Sequence, residues 1–411
     1  MRLRVLLLAI LVAAVLSSQV SFASGAAEKK QETVVFMVDT SPPGFGAWKN
    51  AIEEATGVKI QIAPQPQAFP ERVAKQTTIL STGDSSVDIL NMEDEGVTTF
   101  TRAGFLAPLS ADVMTPDVAK QFPQGYLKDL CSYQGVIYTV PSHIEVHALW
   151  INEKLFRAAG LTKYPSTRDE FLAAAQAMTK EGQYGFGSSW QQDFSHNEIY
   201  SFIYLFGGDY FNWDNPRTRE ALQFMYDLAH KYKVEPLNAV GDGYDPLLAK
   251  YEDDKYGMMF FWSGVLPKFA QDKVYGSDHL HMIPMLNFGT NDALMASWHF
   301  GINKASKNMA AAKKVLSYLA SAKGAKARSL TYNQVPTRQD LMDDPDLAGI
   351  PGIQDVKAYF KAGQLRGRPF IPRTMELIKL VGGNFERYIQ DQLSLDDYCK
   401  LMNDGFKTLM K

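Results

Sequence analysis

The stretch from 135 to 156 constrains the fold more than any other part of the chain. It contains two β-prone runs, 136–140 and 148–151, and the second is continuously apolar. A continuous apolar run is typical of a strand covered on both faces. Pro141 lies just after the first run and cannot donate to a sheet ladder, so we expect that strand to end or bend there. The polar connector between the runs predicts a crossing between two sheets, with Glu145 on the side of a cleft.

The first 23 residues have the pattern of a secretory signal peptide. Arg2 and Arg4 precede an unbroken apolar run, and Ser21-Phe22-Ala23 forms a small-x-small cleavage site. No cysteine lies near this site, which argues against a lipoprotein signal. We therefore expect a cleaved signal peptide over 1–23, a flexible tail over 24–32 and export to the periplasm.

Charge and hydropathy argue against two kinds of partner. Removing Arg2 and Arg4 lowers the count of basic side chains from 42 to 40 against 45 acidic ones, so the net charge becomes −5. Nucleic-acid binding needs a basic face, so we expect no nucleic-acid partner. After the leader no segment reaches the roughly 18 consecutive apolar residues of a membrane span, so we expect no membrane insertion.

The N-terminal part of the mature chain alternates between strands and helices. Apolar runs at 33–38, 58–62 and 87–90 are predicted strands. Apolar residues at helical spacing predict one helix that Gly57 ends and a second over 70–82. This β-α-β-α-β order predicts a parallel sheet with crossover helices.

Two loops follow strands at the carboxyl edge of this predicted sheet, where ligands bind in such folds. The first loop contains Ser41, and the second contains Glu93, Asp94 and Glu95. All four are candidate ligand contacts. For the carboxylates the alternative is a solvated loop or a first helical turn, where acidic groups suit the helix dipole.

A second strand–helix unit follows the crossing and brings further candidates. A strand that begins near Tyr184 leads into a loop with Trp190 and Gln191, and the apolar strand 257–261 ends at Trp262. Tryptophan is less expected in a core when it lies at a strand end or in a loop, so these rings are candidate ligand contacts.

The remaining tryptophans divide between core and surface. Trp298 begins a predicted strand together with His299. We assign Trp48 and Trp150 to the core, whereas Trp213, in a polar loop, fits either place.

Eight motifs together resemble a known family across nearly all of the mature chain. In order they are ATGVKIQI, LSTGDSSVDIL, FTRAGFLAPLS, QGVIYTVPSHIEVHALWINEKLFRAAGLTKYPSTRDEFLAAA, LFGGDYF, KYGMMFFWSGV, INKASKNMAAAKKVLSYLAS and YNQVPTRQD. The chain resembles the extracellular solute-binding proteins of family 1, the ABC-importer receptors that include maltose-binding protein. The resemblance implies an α/β fold of type II, with two lobes of parallel-rich sheets flanked by helices, hinge crossings and a ligand cleft between the lobes.

The resemblance also implies domain boundaries. The first lobe is expected over 33–142 and 299–343, the second over 148–295 and 350–411, and the hinge over 143–147, 296–298 and 344–349.

Site residues follow from the same resemblance where positions match. Glu145 falls on the family's carboxylate in the crossing, and Trp190, Gln191, Trp262, Trp298 and His299 fall in cleft-facing segments, as do Ser41 and the acidic trio. Arg373 lies in a C-terminal segment that often faces the cleft. A sugar-stacking aromatic is common near Met92 in the family and is missing here, so the resemblance leaves the identity of the ligand at this subsite open.

The implied ligand is a sugar or short oligosaccharide, bound without a cofactor or metal and delivered to the transmembrane subunits of an ABC permease by hinge closure. We expect a monomer that is not an enzyme. Two alternatives are a receptor for a polyol, glycerol phosphate or other polar solute, and an exported carbohydrate-active enzyme with paired carboxylates. His143-x-Glu145-x-His147 is a conceivable metal site, although same-face strand residues rarely converge on one ion. Cys131 and Cys399 fall in different lobes, so we expect two free, buried thiols.

Overall fold

The computed structural model describes residues 31–410 apart from 284, 363, 364, 369, 370 and 372, and the side chains of 129, 360 and 362 are also outside the description. The predicted signal peptide and most of the predicted tail lie outside the described residues.

Within the described residues, eleven strands form one nine-stranded and one two-stranded sheet. The strands are β1 (Thr33–Met37), β2 (Lys59–Ala63), β3 (Ile89–Glu93), β4 (Ser132–Tyr133), β5 (Val136–Ile137), β6 (Thr139–Asn152), β7 (Tyr184–Gly187), β8 (Tyr256–Trp262), β9 (Leu280–Met282), β10 (Ala293–Ile302) and β11 (Leu365–Gly367). The large sheet has the order β2-β1-β3-β10-β6-β8-β7, with β11 paired to β10 and β9 paired to β6.

Helices flank the strands throughout the same part of the chain. They are α1 (Phe45–Thr56), α2 (Phe69–Ser81), α3 (Asp94–Arg102), α4 (Pro116–Ala119), α5 (Gln124–Tyr126), α6 (Glu153–Ala158), α7 (Arg168–Met178), α8 (Ser195–Leu205), α9 (Pro216–His230), α10 (Tyr244–Glu252), α11 (Leu266–Gln271), α12 (Met309–Ala320), α13 (Ala322–Tyr332), α14 (Ile353–Ala362), α15 (Thr374–Ile389) and α16 (Leu395–Leu409).

The predicted β-α-β-α-β unit is confirmed. β1 pairs in parallel with β2 and with β3, so Thr33 lies opposite Lys59 and Phe36 opposite Ile89. α1 ends where Gly57 adopts a φ of 68°, a left-handed conformation that costs glycine little. The carboxyl end of β3 is therefore placed at the edge of the sheet where the sequence predicts ligand contacts.

The strand that passes through Pro141 does not end there, although its pairing is distorted at the proline. β6 extends over 14 residues, from Thr139 to Asn152. Its ladder to β10 shifts register beside the proline, because Trp298 lies opposite His143 whereas His299 lies opposite Pro141. A β-bulge of this kind tolerates a residue that cannot donate, so the proline distorts the pairing without ending the strand.

β6 joins the two halves of the large sheet. Residues 139–146 pair with β10, and residues 147–152 pair with β8 and β9. Glu145 lies close to the middle of the strand, opposite Ala296 of β10. The predicted crossing is therefore made by one long strand rather than by a connector between two strands.

Buried apolar residues form large clusters on either side of this midpoint. One cluster contains Phe36, Trp48 and Phe300, and another contains Trp150 and Trp213. From Thr33 onward the chain is one compact unit, so the lobe and hinge boundaries remain predictions.

The cysteines and three of the tryptophans lie in these two clusters. Cys131 belongs to the first cluster and Cys399 to the second, and both thiols are buried and free. Trp48 and Trp150 are buried, as predicted, and Trp213 is a core residue as well. Among the described helices, none combines the length and apolar character needed to cross a membrane.

Candidate functional site

A cavity of about 710 Å³ lies beside the middle of β6. Its lining includes Glu145 of β6 and Trp298 of β10, together with residues from α2, α3, α8, α10 and the end of β8. The cavity therefore combines side chains from both halves of the large sheet.

The predicted acidic segment forms the junction between β3 and α3. Glu93 ends the strand, and Asp94 and Glu95 make the first turn of the helix, as one alternative predicted. The turn is not solvated, however, because Asp94 is 0% exposed and Glu95 is 5% exposed. Glu93 and Glu95 line the cavity, whereas Asp94 lies outside its lining.

Two buried arginines pair with these carboxylates, and sequence reasoning missed both. An Nη atom of Arg72 lies 2.5 Å from Glu93 Oε1, and Arg368 forms ion pairs with Asp94 and Glu95. Buried charges of this kind are retained only when they are paired. The spacing of Arg72 and Gln76 along the buried face of α2 is the signal that could have found Arg72.

Burial and the arginines act in opposite directions on the carboxylates. Burial raises the pKa of Glu93 to about 7, although Arg72 opposes the shift. Burial also raises the pKa of Asp94, and the neighbouring Glu95 adds to this shift, whereas Arg368 opposes it. Burial alone would lower the pKa of Arg368, but Asp94 and Glu95 raise it. The cluster therefore holds Arg368 charged, while Glu93 and Asp94 bind protons more tightly than ordinary carboxylates do.

Arg368 takes the position that the sequence assigned to Arg373. Arg373 is exposed at the start of α15, where its Nε donates to Glu376 Oε1 at 2.8 Å, and it does not line the cavity. The error has a simple cause, since the segment from 366 to 373 contains three arginines and nothing in their spacing selects one of them.

Glu145 lines the cavity and is held by a chain of hydrogen bonds from Arg328 through His143. His143 Nδ1 accepts from Arg328 at 2.9 Å, so His143 Nε2 carries the proton and donates to Glu145 Oε1 at 2.9 Å. Burial lowers the pKa of His143 to about 4, and Arg328 lowers it further, so the ring is neutral. A Cβ at Gly264 would lie 2.4 Å from Glu145 Oε1, so only glycine fits against this carboxylate.

Trp262 lines the cavity at the end of β8, but little of its surface is free. The side chain is 6% exposed, and the Arg368 guanidinium carbon lies 5.4 Å from the ring centroid. Its Nε1 donates to Tyr244 Oη at 2.7 Å. Tyr244 belongs to the first turn of α10 and also lines the cavity, and sequence reasoning missed it.

Trp298 lines the cavity from β10 and is more exposed than Trp262. The guanidinium carbon of Arg72 lies 4.9 Å from its ring centroid, and the His143 ring is stacked against it at 5.8 Å. Cation–π and stacking contacts of this type fix the orientation of the indole. The ring is therefore positioned before any ligand arrives.

The β7–α8 connection supplies a further part of the lining that the sequence did not indicate. Asp193, Phe194, His196 and Asn197 all line the cavity. His196 is 2% exposed, and burial lowers its pKa well below the ordinary value, so its ring is neutral. The segment SHNEIY has no helical periodicity in its polar residues because every side chain of α8 is buried.

Trp190 and Gln191 lie near this connection but outside the cavity lining, which corrects the expectation for both. Trp190 is 0% exposed and packs edge-on against Phe385 at 5.5 Å between ring centroids. Phe385 is far away in sequence, so only the tertiary fold could place this ring in the core. Gln191 Oε1 accepts from the backbone N–H of Asp193 at 2.9 Å and stabilises the turn.

His299 and Ser41 are also outside the cavity lining, contrary to expectation. Neighbouring strand residues point to opposite faces, so Trp298 and His299 cannot both face the cavity. His299 is 0% exposed and lies 2.9 Å from Ser297 Oγ and 3.1 Å from Thr139 Oγ1. Ser41 is exposed and donates to Asp39 Oδ2 at 2.8 Å.

The conceivable metal site on β6 has other contacts. His143 donates to Glu145, while His147 Nδ1 lies 2.7 Å from Ser201 Oγ. Across the described part of the chain, no group of three or more histidine, cysteine or acidic side chains is arranged to hold a metal ion.

Comparison with known proteins agrees with this architecture. The model of the bacterial extracellular solute-binding protein family matches residues 39–326, which is more than half of the chain. A curated protein of Sinorhizobium fredii, "Probable amino-acid ABC transporter periplasmic-binding protein y4oP", is 22% identical over 334 residues, or 74% of each chain. The family match confirms the resemblance predicted from the sequence.

Solved structures share the fold at low identity. Maltose-bound T. maritima MalE3 has a TM-score of 0.79 at 22% identity and covers 92% of this chain and 99% of its own. A solute-binding protein from Thermotoga lettingae, bound with α-D-tagatose, has a TM-score of 0.80 at 22% identity, with coverages of 92% and 100%. One from Agrobacterium vitis, with bound D-mannitol, has a TM-score of 0.72 at 20% identity, with coverages of 92% and 98%. These likenesses confirm the predicted fold class.

Proposed function

We propose that this chain, which belongs to the family of bacterial extracellular solute-binding proteins, binds a sugar, polyol or short oligosaccharide in its cavity. The observation that supports this most strongly is the lining itself. Aromatic rings of Trp298, Tyr244 and Phe194 lie in one cavity with the carboxylates of Glu93 and Glu145.

This combination suits a hydroxylated ligand. A pyranose offers an apolar C–H face, on which an aromatic ring stacks, and a belt of hydroxyl groups that donate to carboxylates. A hydrogen bond to a charged group contributes about 1.5–3 kcal/mol, and micromolar binding needs only about −8.2 kcal/mol. One stacked ring and a few such bonds are therefore sufficient. The maltose, tagatose and mannitol held by the structural relatives support the same ligand class.

The continuous strand β6 supports a hinge role for the predicted crossing. Glu145 and Trp298 lie on the paired strands β6 and β10, while other lining residues come from the two sides of the sheet. A ligand that contacts both sides stabilises the closed form by its differential affinity for that form. The closed form, in the periplasm, is then the species that the permease of an ABC importer recognises. We propose that the protein acts as a monomer without catalysis.

The alternative of glycerol phosphate is less well supported by the cavity. A phosphate needs free cationic donors, but Arg72 and Arg368 already pair with carboxylates. The excess of acidic groups around them would repel an anion.

A calorimetric screen tests the proposal. Monosaccharides, disaccharides and polyols are titrated into the mature protein, and we expect at least one to bind with micromolar affinity or better. The same titration with Glu145→Gln is expected to weaken that ligand about tenfold, since one charge-assisted bond is lost. Absence of binding across all three ligand groups would overturn the proposal.

A further inference from the structure

We infer that the solute bound in this cavity carries a positive charge, as a protonated amine on a hydroxylated scaffold such as an amino sugar or amino polyol. The inference rests on the proposed function and narrows it. It follows from three observations: the balance of charge in the lining, the buried polar atoms without partners, and the contacts already made by the arginines.

The lining carries an excess of negative charge. Among the described residues, five carboxylates line the cavity against three cationic side chains. The carboxylates are Glu93, Glu95, Glu145, Asp193 and Asp245, and the cations are Arg72, Arg368 and Lys268. The lining therefore carries an excess of one negative charge, which becomes two when Glu93, whose pKa burial raises to about 7, is ionised.

Contacts outside the cavity make the excess larger. Lys268 forms ion pairs with Glu252 and with Asp272, the second at 2.9 Å. Neither of these carboxylates lines the cavity. The neighbouring histidines do not compensate, because burial lowers the pKa of His143 to about 4 and that of His147 to about 3. A cation in the cavity would therefore meet net attraction from the lining as a whole.

Buried hydrogen-bond acceptors in the lining lack partners. Within the described part of the chain, Glu93 Oε2 and Glu95 Oε2 have no hydrogen-bond partner. Both residues line the cavity, and Glu95 is more than nine-tenths buried. Since a buried polar group without a partner costs about 1–3 kcal/mol, a ligand group that donates to these oxygens would remove that cost.

Whether the unpartnered atoms accept or donate determines which ligand groups fit them. A carboxylate oxygen accepts, so the ligand group that bonds to it must donate. An ammonium group supplies three donors and a positive charge, whereas each hydroxyl supplies one donor and no charge. The Nε of Arg72 is a buried donor in the lining without a partner among the described residues, and it suits a ligand oxygen. Carboxylate oxygens together with this donor fit an aminated and hydroxylated solute.

The arginines do not reverse this preference. Arg72 is held by Glu93, and Arg368 bridges Asp94 and Glu95. Their guanidinium groups also lie over the rings of Trp298 and Trp262. An acidic solute would have to displace these contacts, whereas an amine is attracted by the carboxylates of Glu93 and Glu95 in the lining.

Matched ligand pairs test the inference by calorimetry at neutral pH and low salt. The pairs are glucosamine with glucose, the disaccharide of glucosamine with cellobiose, and glucamine with sorbitol, and glucuronate serves as the acidic probe. We expect the aminated member of at least one pair to bind ten times tighter than its neutral partner or more, and glucuronate not to bind. If a neutral member binds as tightly as its aminated partner or more tightly, the inference is wrong while the proposed function stands. If no member of any pair binds, both are wrong.

Glu145→Gln provides the second readout, because it removes a charge and keeps the shape. The ratio of aminated to neutral affinity is expected to fall at least fivefold, which a purely structural role of Glu145 would not produce. The matched control is Glu181→Gln, which removes an exposed carboxylate outside the cavity and should leave the ratio unchanged. Thermal unfolding of each variant establishes that it is folded. An unchanged ratio in a folded Glu145→Gln protein would overturn the inference.

Discussion

Two groups of buried carboxyl side chains in this protein have different hydrogen-bond partners. At the cavity, Glu93, Asp94 and Glu95 face the guanidinium groups of Arg72 and Arg368. In the core of the second half, Glu198 and Glu235 have no cationic partner among the described residues. They accept instead from the backbone N–H groups of Ser189 and Ser188, each at 3.0 Å.

The difference shows that the partner, and not the residue type, decides what a buried carboxylate does. Burial raises the pKa of Glu198 to about 8, and hydrogen bonds from neutral donors oppose it only weakly. Glu198 is therefore protonated at neutral pH, and its hydrogen bond from Ser189 stabilises the loop after β7. At the cavity the carboxylates have cationic partners, and one oxygen each of Glu93 and Glu95 has no hydrogen-bond partner among the described residues.

The largest effect is expected from Arg368→Met. The substitution leaves Asp94 and Glu95 buried without their cation, and removal of one partner of a buried pair costs about 3–5 kcal/mol. Urea denaturation at neutral pH measures the loss.

Arg373→Met is the matched control for this variant. Its guanidinium is exposed and pairs only with Glu376, so we expect no measurable shift of the denaturation midpoint. Equal losses in the two variants would mean that the cavity carboxylates do not depend on Arg368.

The next largest effect is a change in pH dependence caused by Glu198→Gln. The folded pKa of Glu198, about 8, lies above its ordinary value of 4.5. Its stabilising contribution is therefore fully present below pH 4.5 and is lost as the pH rises towards 8. One pKa unit corresponds to about 1.4 kcal/mol, so this group alone removes about 3 kcal/mol of stability between pH 5 and 7.

Glutamine keeps the acceptor for Ser189 but cannot ionise. The fall in unfolding free energy between pH 5 and 7 should therefore be about 3 kcal/mol smaller in the variant than in the wild type. Denaturation curves at the two pH values measure it, and Glu181→Gln, at an exposed position, is the control. Superimposable pH profiles for wild type and variant would contradict a protonated Glu198.

The comparison between cavity and core extends to the tryptophans. Trp298→Ala removes a ring that lines the cavity, so we expect binding of the tightest sugar from the screen to weaken about tenfold, which is about 1.4 kcal/mol. Trp190→Phe changes a ring in the core and should leave that affinity within about twofold. Calorimetry of both variants measures these changes. A larger loss of affinity in Trp190→Phe than in Trp298→Ala would mean that the binding site does not lie in the cavity beside Trp298.

The smallest effect is expected at Ser41. Its hydroxyl is exposed and bonded to Asp39, outside the cavity lining, so Ser41→Ala should change the affinity for the same sugar by less than about twofold. A loss of affinity of tenfold or more would indicate that the loop after β1 contributes to the binding site.

The sequence by itself determined the local structure and the family. Apolar periodicity in strands and helices depends on neighbours in the chain, which is why β1 to β3, the helix that ends at Gly57 and the buried Trp150 are found as predicted. It also singled out Glu145, which lies in the longest of the motifs that the chain shares with the family, and Trp298 at the start of a predicted strand, and both line the cavity.

Only the tertiary structure decided which side chains share the cavity. Strand alternation separates Trp298 from His299, Phe385 covers Trp190, and Arg368 rather than Arg373 reaches Asp94. Each of these outcomes depends on a partner that is remote in sequence or on the face of a strand. A buried charge needs its counter-charge in space, and spacing along the chain does not encode where that partner will lie.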